Sequence, residues 1–493
     1  MLEVTTTSTT QDGPMPEPLP PKSPATRRAT LVVVCVTTAM LMLDIAVVNT
    51  ALPSIATDLD AGVSALQWVV DAYTLALATV VLGAGSWADR RGRRHVFLVG
   101  LVWFTVASLL CALAPTIWVL DIARAAQGIG GAILFACSLA LLADVFEAGP
   151  QRAAALAAYG ATIGGAFAIG PLIGGLLTEL LNWRAIFLVN IPIGLVTLAL
   201  TVRWVPESRD PHPRGADVPG QISAAVGLAA LVFGLLHGNE HGWLDPLTVA
   251  SAVVAVVALV WFVRHEMRTS EPMLPPHLLA NRAFAGAQLA AFAISASLFA
   301  VFVYTTIYLQ NVLHLSPVEA GLVYIPATVA MFVVAGATAT LDRRIPVAVS
   351  LSVSLVLVAV GLVAMTAVDV AGSRYTILPG LVVACIGAGV FNPVMSGLVL
   401  GESTSDHSGL AAGVNDAFRQ TGIAVGVAGL GALLPAQSLL PGGSPQEFVS
   451  GLHHALLVAA VIATLGALVC VVTLRAPRPA GDGVVRETAG VTA

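Results

Sequence analysis

Most of the chain reads as apolar runs of roughly twenty residues cut by short polar breaks. Fourteen runs stand out, at about 30–53, 66–87, 95–114, 117–142, 153–178, 185–205, 218–237, 246–264, 284–309, 318–340, 346–368, 375–400, 408–434 and 452–474. Runs of that length suit α-helices across ~30 Å of hydrocarbon, whereas a barrel would show alternating strands of ~10 residues. The pattern predicts an all-α integral membrane protein. Two longer, Pro-containing interruptions, 206–217 and 265–283, set off the seventh and eighth runs as a pair joined by HGNEHGWLDP. The expected plan is a disordered cytoplasmic tail (1–29), a six-helix half (30–210), an inserted helix pair (211–266), a second six-helix half (267–475) and a cytoplasmic tail (476–493). Two six-helix halves suggest a transporter with pseudo-symmetric repeats.

Composition agrees. The 493 residues are 57% hydrophobic and only 10% charged, with mean hydropathy +0.87, against about 25% charged residues in soluble domains. Orientation follows from the arginines. In this layout Lys22, Arg27, Arg28, Arg90, Arg91, Arg93, Arg94, Arg152, Arg203, Arg209, Arg214, Arg264, Arg268, Arg282, Arg343, Arg344, Arg475, Arg478 and Arg486 share one face, and only Arg184 and Arg374 lie on the other. The positive-inside rule puts both termini in the cytoplasm, with the protein multi-pass in the plasma (inner) membrane. The first run is longer than a signal-peptide core and reads as a retained helix. The net charge of −5 says little about partners, and no nucleic acid is expected.

Cys35, Cys111, Cys137, Cys385 and Cys470 all fall inside apolar runs without metal-ligand spacing, so neither a disulfide framework nor a metal site is expected. His237, Glu240, His241 and Asp245 cluster on the loop of the inserted pair and could hold a metal; a solvated loop explains them better. The absence of GxSxG and HExxH signatures weakens a catalytic reading, and the chain is not expected to be an enzyme or to need a cofactor.

A charged side chain at mid-span costs roughly 2.5–3.5 kcal/mol on insertion scales, so each such residue is a functional candidate. Asp44 lies in the middle of the first span, in LDIAVVNTALP, followed by Asn49. No base lies within helical reach, so its partner must be another helix, a proton or a substrate. Arg124, in RAAQGIGGA of the fourth span, shares a helix face with Gln127 and Gly128 and is the natural interhelical partner. A carboxyl in a cavity gains protons by desolvation and loses them beside an arginine, so separating the two would switch its proton affinity. In the thirteenth span Asp416 and Arg419 are spaced to pair, more as a structural pair than a transport site. Asp71 lies near the outer end of the second span. The fifth span carries Gly160, Gly164, Gly165 and GPLIGG, with Gly170, Pro171, Gly174 and Gly175: glycines four apart let helices approach closely, and Pro171 should bend the span.

At these residues the chain resembles the major facilitator superfamily, specifically its fourteen-helix drug:proton antiporter branch. GSWADRRGRR matches the loop signature G-x-x-x-D-R-x-G-R-R at Gly85, Asp89, Arg90, Gly92, Arg93 and Arg94. LDIAVVNTALP, RAAQGIGGA and AFAIGPLIGG resemble signatures of the first, fourth and fifth helices, although Ala166 replaces an opening glycine in the last. WRAIFLVNIPIG at 183–194 is similar too. The resemblance implies that Asp89 meets a helix of the other half and Arg93 an acid at the inner end of the fourth helix, for which Asp144 is placed; together they would gate. It implies a monomeric carrier exchanging protons, with Asp44 and Arg124 as the coupling pair, for a small hydrophobic or cationic drug. The cavity candidates are Asn49, Gln127, Gln288, Tyr304, Asn392, Asp416 and Arg419. Export of one endogenous metabolite, a non-export carrier and a membrane sensor remain alternatives.

Overall fold

A computed structural model describes residues 23–146, 150–209, 215, 217–274, 276–341, 345–401, 408–435 and 444–474. The first half contains α1 (Pro24–Leu59), α2 (Val63–Arg91), α3 (Arg93–Ala112), α4 (Ile117–Val145), α5 (Pro150–Leu180), a single turn α6 (Ala185–Leu188) and α7 (Asn190–Trp204). The inserted hairpin is α8 (Val218–His241) and α9 (Pro246–Glu266). After the short α10 (Pro276–Ala280), the second half opens with α11 (Arg282–Ile294) and α12 (Ala300–Ile307), joined through the π-helical turn Ser295–Phe299 and followed by a second, Tyr308–Val312. It continues with α13 (Pro317–Leu341), α14 (Val347–Met365), α15 (Leu378–Gly401), α16 (Ser408–Gly431) and α17 (Pro445–Thr473).

Twelve of these helices or joined helices are long and apolar enough to cross a membrane. α5 makes a thirteenth if Ala154–Phe167 and Ile169–Leu180, bent by 43°, count as one span. The bend has a cause: Pro171 lacks the N–H that would bond the carbonyl of Phe167, so the helix opens one turn before the proline. α16 occupies the fourteenth position needed, but Asn415, Asp416, Arg419 and Gln420 make it too polar to qualify by hydropathy alone.

Several boundaries differ from the sequence expectation. The arginine-rich stretch 85–95 is not an open loop. α2 runs through Arg91 and α3 starts at Arg93, so the whole turn is Gly92 at φ +109°, a conformation only glycine adopts without strain. The first tail ends before residue 29, because Ser23 Oγ accepts the Thr26 N–H at 3.2 Å and Pro24 begins the helix. Residues 1–22 and 475–493, which carry the rest of the two expected tails, lie outside the described residues.

Packing repeats one pattern twice. α2 of the first half lies against α16, the fifth long helix of the second; α5 of the first lies against α13, the second of the second. Reciprocal contacts of this kind are what two pseudo-symmetric repeats produce. The α8–α9 hairpin rests on α2 and α16 through α8, while α9 presents Val253, Val256, Val257 and Val260 outward. A helix apolar on its outer face suits hydrocarbon.

At the end remote from the arginines, hydrogen bonds join the two halves. Glu179 Oε2 at the close of α5 accepts the Val318 N–H of α13 at 3.0 Å, and Gln310 Nε2 donates to the Thr50 carbonyl of α1 at 2.9 Å. The approach of α5 to α13 needs glycine. A Cβ on Gly175 would strike the Pro317 backbone, and one on Gly321 would lie 2.7 Å from the Pro171 carbonyl oxygen.

Candidate functional site

Two mid-membrane charges of the first half, Asp44 and Arg124, meet. Asp44 of α1 is 1% exposed, and Arg124 of α4 donates to its Oδ2 from Nη1 at 2.7 Å. Asp44 Oδ1 accepts from Gln127 Nε2 at 2.8 Å and from Asn190 Nδ2 of α7 at 2.7 Å. Gln127 and Asn190 also donate to Ser108 Oγ of α3, at 2.8 and 3.4 Å. The guanidinium is held as firmly: Nε donates to the Val69 carbonyl of α2 at 2.9 Å and Nη1 to Gln127 Oε1 at 2.6 Å. Its flat face lies 4.2 Å from the ring centre of Tyr73 and 5.7 Å from that of Phe187. An arginine between aromatic faces in a desolvated site gains cation–π attraction of up to ~2 kcal/mol.

α1, α2, α4 and α7 thus each give a polar group to the ion pair or its direct partners, α3 supports Gln127 and Asn190 through Ser108, and Phe187 of α6 lies beside it. The sequence places them by helical spacing, since Arg124 and Gln127, three apart, share a face. Small residues bring the helices near enough. A Cβ on Gly128 would clash with the Tyr73 backbone, and one on Gly174 would lie 2.8 Å from the Val47 carbonyl oxygen. On the same two helices as Gly174, Gly170 faces Ala46 across α1 and α5.

Both members of the pair are fully engaged: Asp44 receives three donors, and Arg124 bonds Asp44, Val69 and Gln127. Losing one partner of so buried a pair costs about 3–5 kcal/mol.

The other sequence candidates do not join this cage. Asn49 is half-buried on α1 with Oδ1 unpartnered. Gln288 of α11 accepts from Asn415 Nδ2 of α16 at 3.0 Å, and Asn392 is half-buried on α15. Tyr304 is fully buried and, with Gln67 and Leu52, lines a small pocket between the halves; it accepts from Gln67 Nε2 of α2 at 2.8 Å and donates to the Val427 carbonyl of α16. Asp416 and Arg419 do not close into an ion pair, contrary to the spacing argument, although the arginine acts on the carboxyl electrostatically. Three residues apart places side chains near each other, but rotamers decide whether they meet.

At the arginine-rich end, Arg93 pairs with Asp89 at 3.0 Å rather than with Asp144, which stands at the foot of α4. The one-residue turn explains the change, because it leaves these two side chains four apart on either side of Gly92. Arg90 is exposed and Gly85 has open space beside it. Arg94 donates from Nη2 to the Val202 carbonyl at 2.7 Å, and Glu207 accepts the backbone N–H groups of Arg94 and His95, both at 3.1 Å. On the inserted hairpin, His237 Nε2 lies 3.1 Å from Asp245 Oδ1 and its ring stacks on His241; no metal-holding group occurs among the described residues. The Leu247 backbone N–H holds the Asp245 carboxyl below its usual range.

Sequence reasoning missed Asn190, Ser108 and Tyr73. Asn190 left a signal, a lone amide in an otherwise apolar span. Ser108 and Tyr73 left none, since serine bonding its own helix carbonyl (here Phe104, 2.8 Å) and core tyrosine are commonplace.

Comparison with known proteins gives the same picture. The family model described as Major Facilitator Superfamily matches residues 34–427. The chain is 35% identical over 443 residues to the puromycin resistance protein of Streptomyces alboniger, covering 88% of each chain. It is 31% identical over 477 residues to the multidrug efflux pump LfrA of Mycolicibacterium smegmatis, covering 96% of this chain and 94% of that one. Among solved structures, a POT family transporter in complex with a thioalcohol-conjugated peptide superposes with a TM-score of 0.66 at 13% identity, over 90% of this chain and 95% of that one.

Proposed function

The chain belongs to the Major Facilitator Superfamily, and from that premise we propose that it exports small hydrophobic or cationic compounds, drugs and antibiotics among them, in exchange for protons. It is a multi-pass membrane carrier, not an enzyme. On this reading it works in the plasma membrane as a monomer with both termini cytoplasmic, using the proton gradient and no cofactor. The relatives named for puromycin resistance and multidrug efflux support drugs and antibiotics as the cargo class.

The observation that carries the mechanism is the buried Asp44–Arg124 pair with its Gln127 and Asn190 donors. Asp44 is ionised while it holds Arg124. Opening toward the outside lets a proton reach Asp44, releases Arg124 and resets the carrier; closure returns the proton to the cytoplasm. The cage lies inside one half, so the substrate need not touch Asp44. One charge moving through 100 mV supplies ~2.3 kcal/mol, more than a tenfold gradient.

Energised inverted vesicles test this. Addition of a panel of cationic dyes and antibiotics is expected to trigger proton release in the wild type and none in Asp44→Asn. Equal release in both moves coupling away from Asp44, and no response to any compound in the wild type removes the drug-export reading. A response to a single antibiotic alone identifies a dedicated exporter.

A further inference from the structure

A second carboxyl lies between the halves. Asp71 of α2 is fully buried, and neither of its oxygens has a hydrogen-bond partner. Its position follows from the helix. Val69 and Tyr73 face Arg124, and residue 71, two from each, points about 200° away from them, to the other side of α2. That side meets the second half. One turn before Asp71, Gln67 bonds Tyr304; one turn after it, Leu75 packs with Ala424 and Ala428 of α16 and Val232 of α8.

No cation meets it. On α4, Arg124 is committed to Asp44 and Asp121 carries the same sign as Asp71; on α1, Asp44 is inside the cage. On α16, Asp416 and Arg419 lie about 16 and 12 Å along the helix from Val427. On α8, His237 bonds Asp245 and stacks with His241, and Glu240 is acidic. On α3, Arg93 is taken by Asp89, and Arg94 and His95 stand with it at the arginine-rich end; Cys111 is on the Gln127 side. An ionised carboxylate without donors in such a place is far costlier than a protonated one. Asp71 here is the neutral acid.

Resting on the proton-coupled reading above, we propose that Asp71 carries a second exchanged proton, taken up and released at the boundary between the halves while Asp44 works inside the first half. Gln67 and Tyr304 close the side nearer the outer end of α2. A side chain on Gly431 would collide with both groups, so the glycine lets the clasp form. When it opens, Asp71 exchanges a proton with the outer water; when the halves part at the arginine-rich end, the O–H bond breaks toward the cytoplasm and leaves the carboxylate. Asp44 has a counter-ion in Arg124, whereas Asp71 has only its proton.

Proteoliposomes containing the full chain test this, with proton and dye fluxes measured in parallel for wild type, Asp71→Asn and Asp71→Glu. The expected result is a proton-to-dye ratio lower by about one in Asp71→Asn, with dye counterflow, which needs no net proton movement, within about twofold of wild type, and a wild-type ratio in Asp71→Glu. An unchanged ratio in Asp71→Asn overturns the proposal. Absence of coupled flux in the wild type would instead defeat the export reading itself. Infrared difference spectra supply an independent readout: the C=O stretch of a buried protonated carboxyl is expected in wild type, lost in Asp71→Asn and shifted in Asp71→Glu. Should Asp71→Asn fail to fold, an unmoved band in Asp71→Glu overturns the proposal.

Discussion

Asn190 shows how much rests on a neutral group beside a buried charge. It supplies one of three donors to Asp44, and an acceptor stripped of a buried donor costs ~1–3 kcal/mol. Asn190→Ala is expected to lower the thermal midpoint of the detergent-purified protein by that equivalent while leaving it folded. Arg124→Ala strands the carboxylate and is expected to cost about 3–5 kcal/mol; added Asp44→Asn, which removes the stranded charge, should recover much of the loss. A double mutant no more stable than Arg124→Ala would mean that the pair is not coupled. Asp44 and Arg124 were legible in the sequence because a charge in an apolar run has no innocent explanation. Tyr73 was not, because an aromatic there looks like any core residue until the guanidinium lies on it.

Among the elements, α5 carries the clearest constraint. Its glycines press on α1 at Gly170 and Gly174 and on α13 at Gly175, and Pro171 bends it. Gly174→Val forces a branched side chain against Val47 and Thr50, an overpacking worth about 1–3 kcal/mol. Substrate efflux from cells is expected to fall more than tenfold at normal membrane abundance, because the helices can no longer keep their spacing as they move. Efflux near wild type would show that the close approach is packing alone. The glycine spacing and the proline were visible in the chain, but the two surfaces they serve were not. The arginine-rich stretch between α2 and α3 is helical on both sides of a single turn for a related reason: its charge marks water, yet Ala and Arg are good helix formers, and only Gly92 breaks the run.

For the whole molecule, hydrogen bonds from Val318 to Glu179 and from Gln310 to Thr50 join the halves at the end remote from the arginines. With the five free cysteines replaced, Glu179→Cys with Val318→Cys is expected to cross-link under oxidation and to stop dye transport, with recovery on reduction. Transport that persists in the cross-linked protein would show that α5 and α13 do not separate in the cycle. The exposed Arg184–Asp58 and Arg374–Glu319 pairs at that end, 2.6 and 3.3 Å, contribute little by themselves, since solvent screens them.

Apolar run length and arginine asymmetry determine from sequence alone that this is a many-helix membrane protein with two halves and an inserted pair, because hydrocarbon admits few other solutions. Lone charges and glycines likewise mark which positions resist a purely structural explanation. Tertiary structure alone decides who meets whom: Arg93 with Asp89, Asp416 apart from Arg419, Asp44 caged by Arg124, Gln127 and Asn190, Asp71 left without a partner. Spacing along one helix specifies a face, while the identity of the neighbour across it depends on helices brought together from distant parts of the chain.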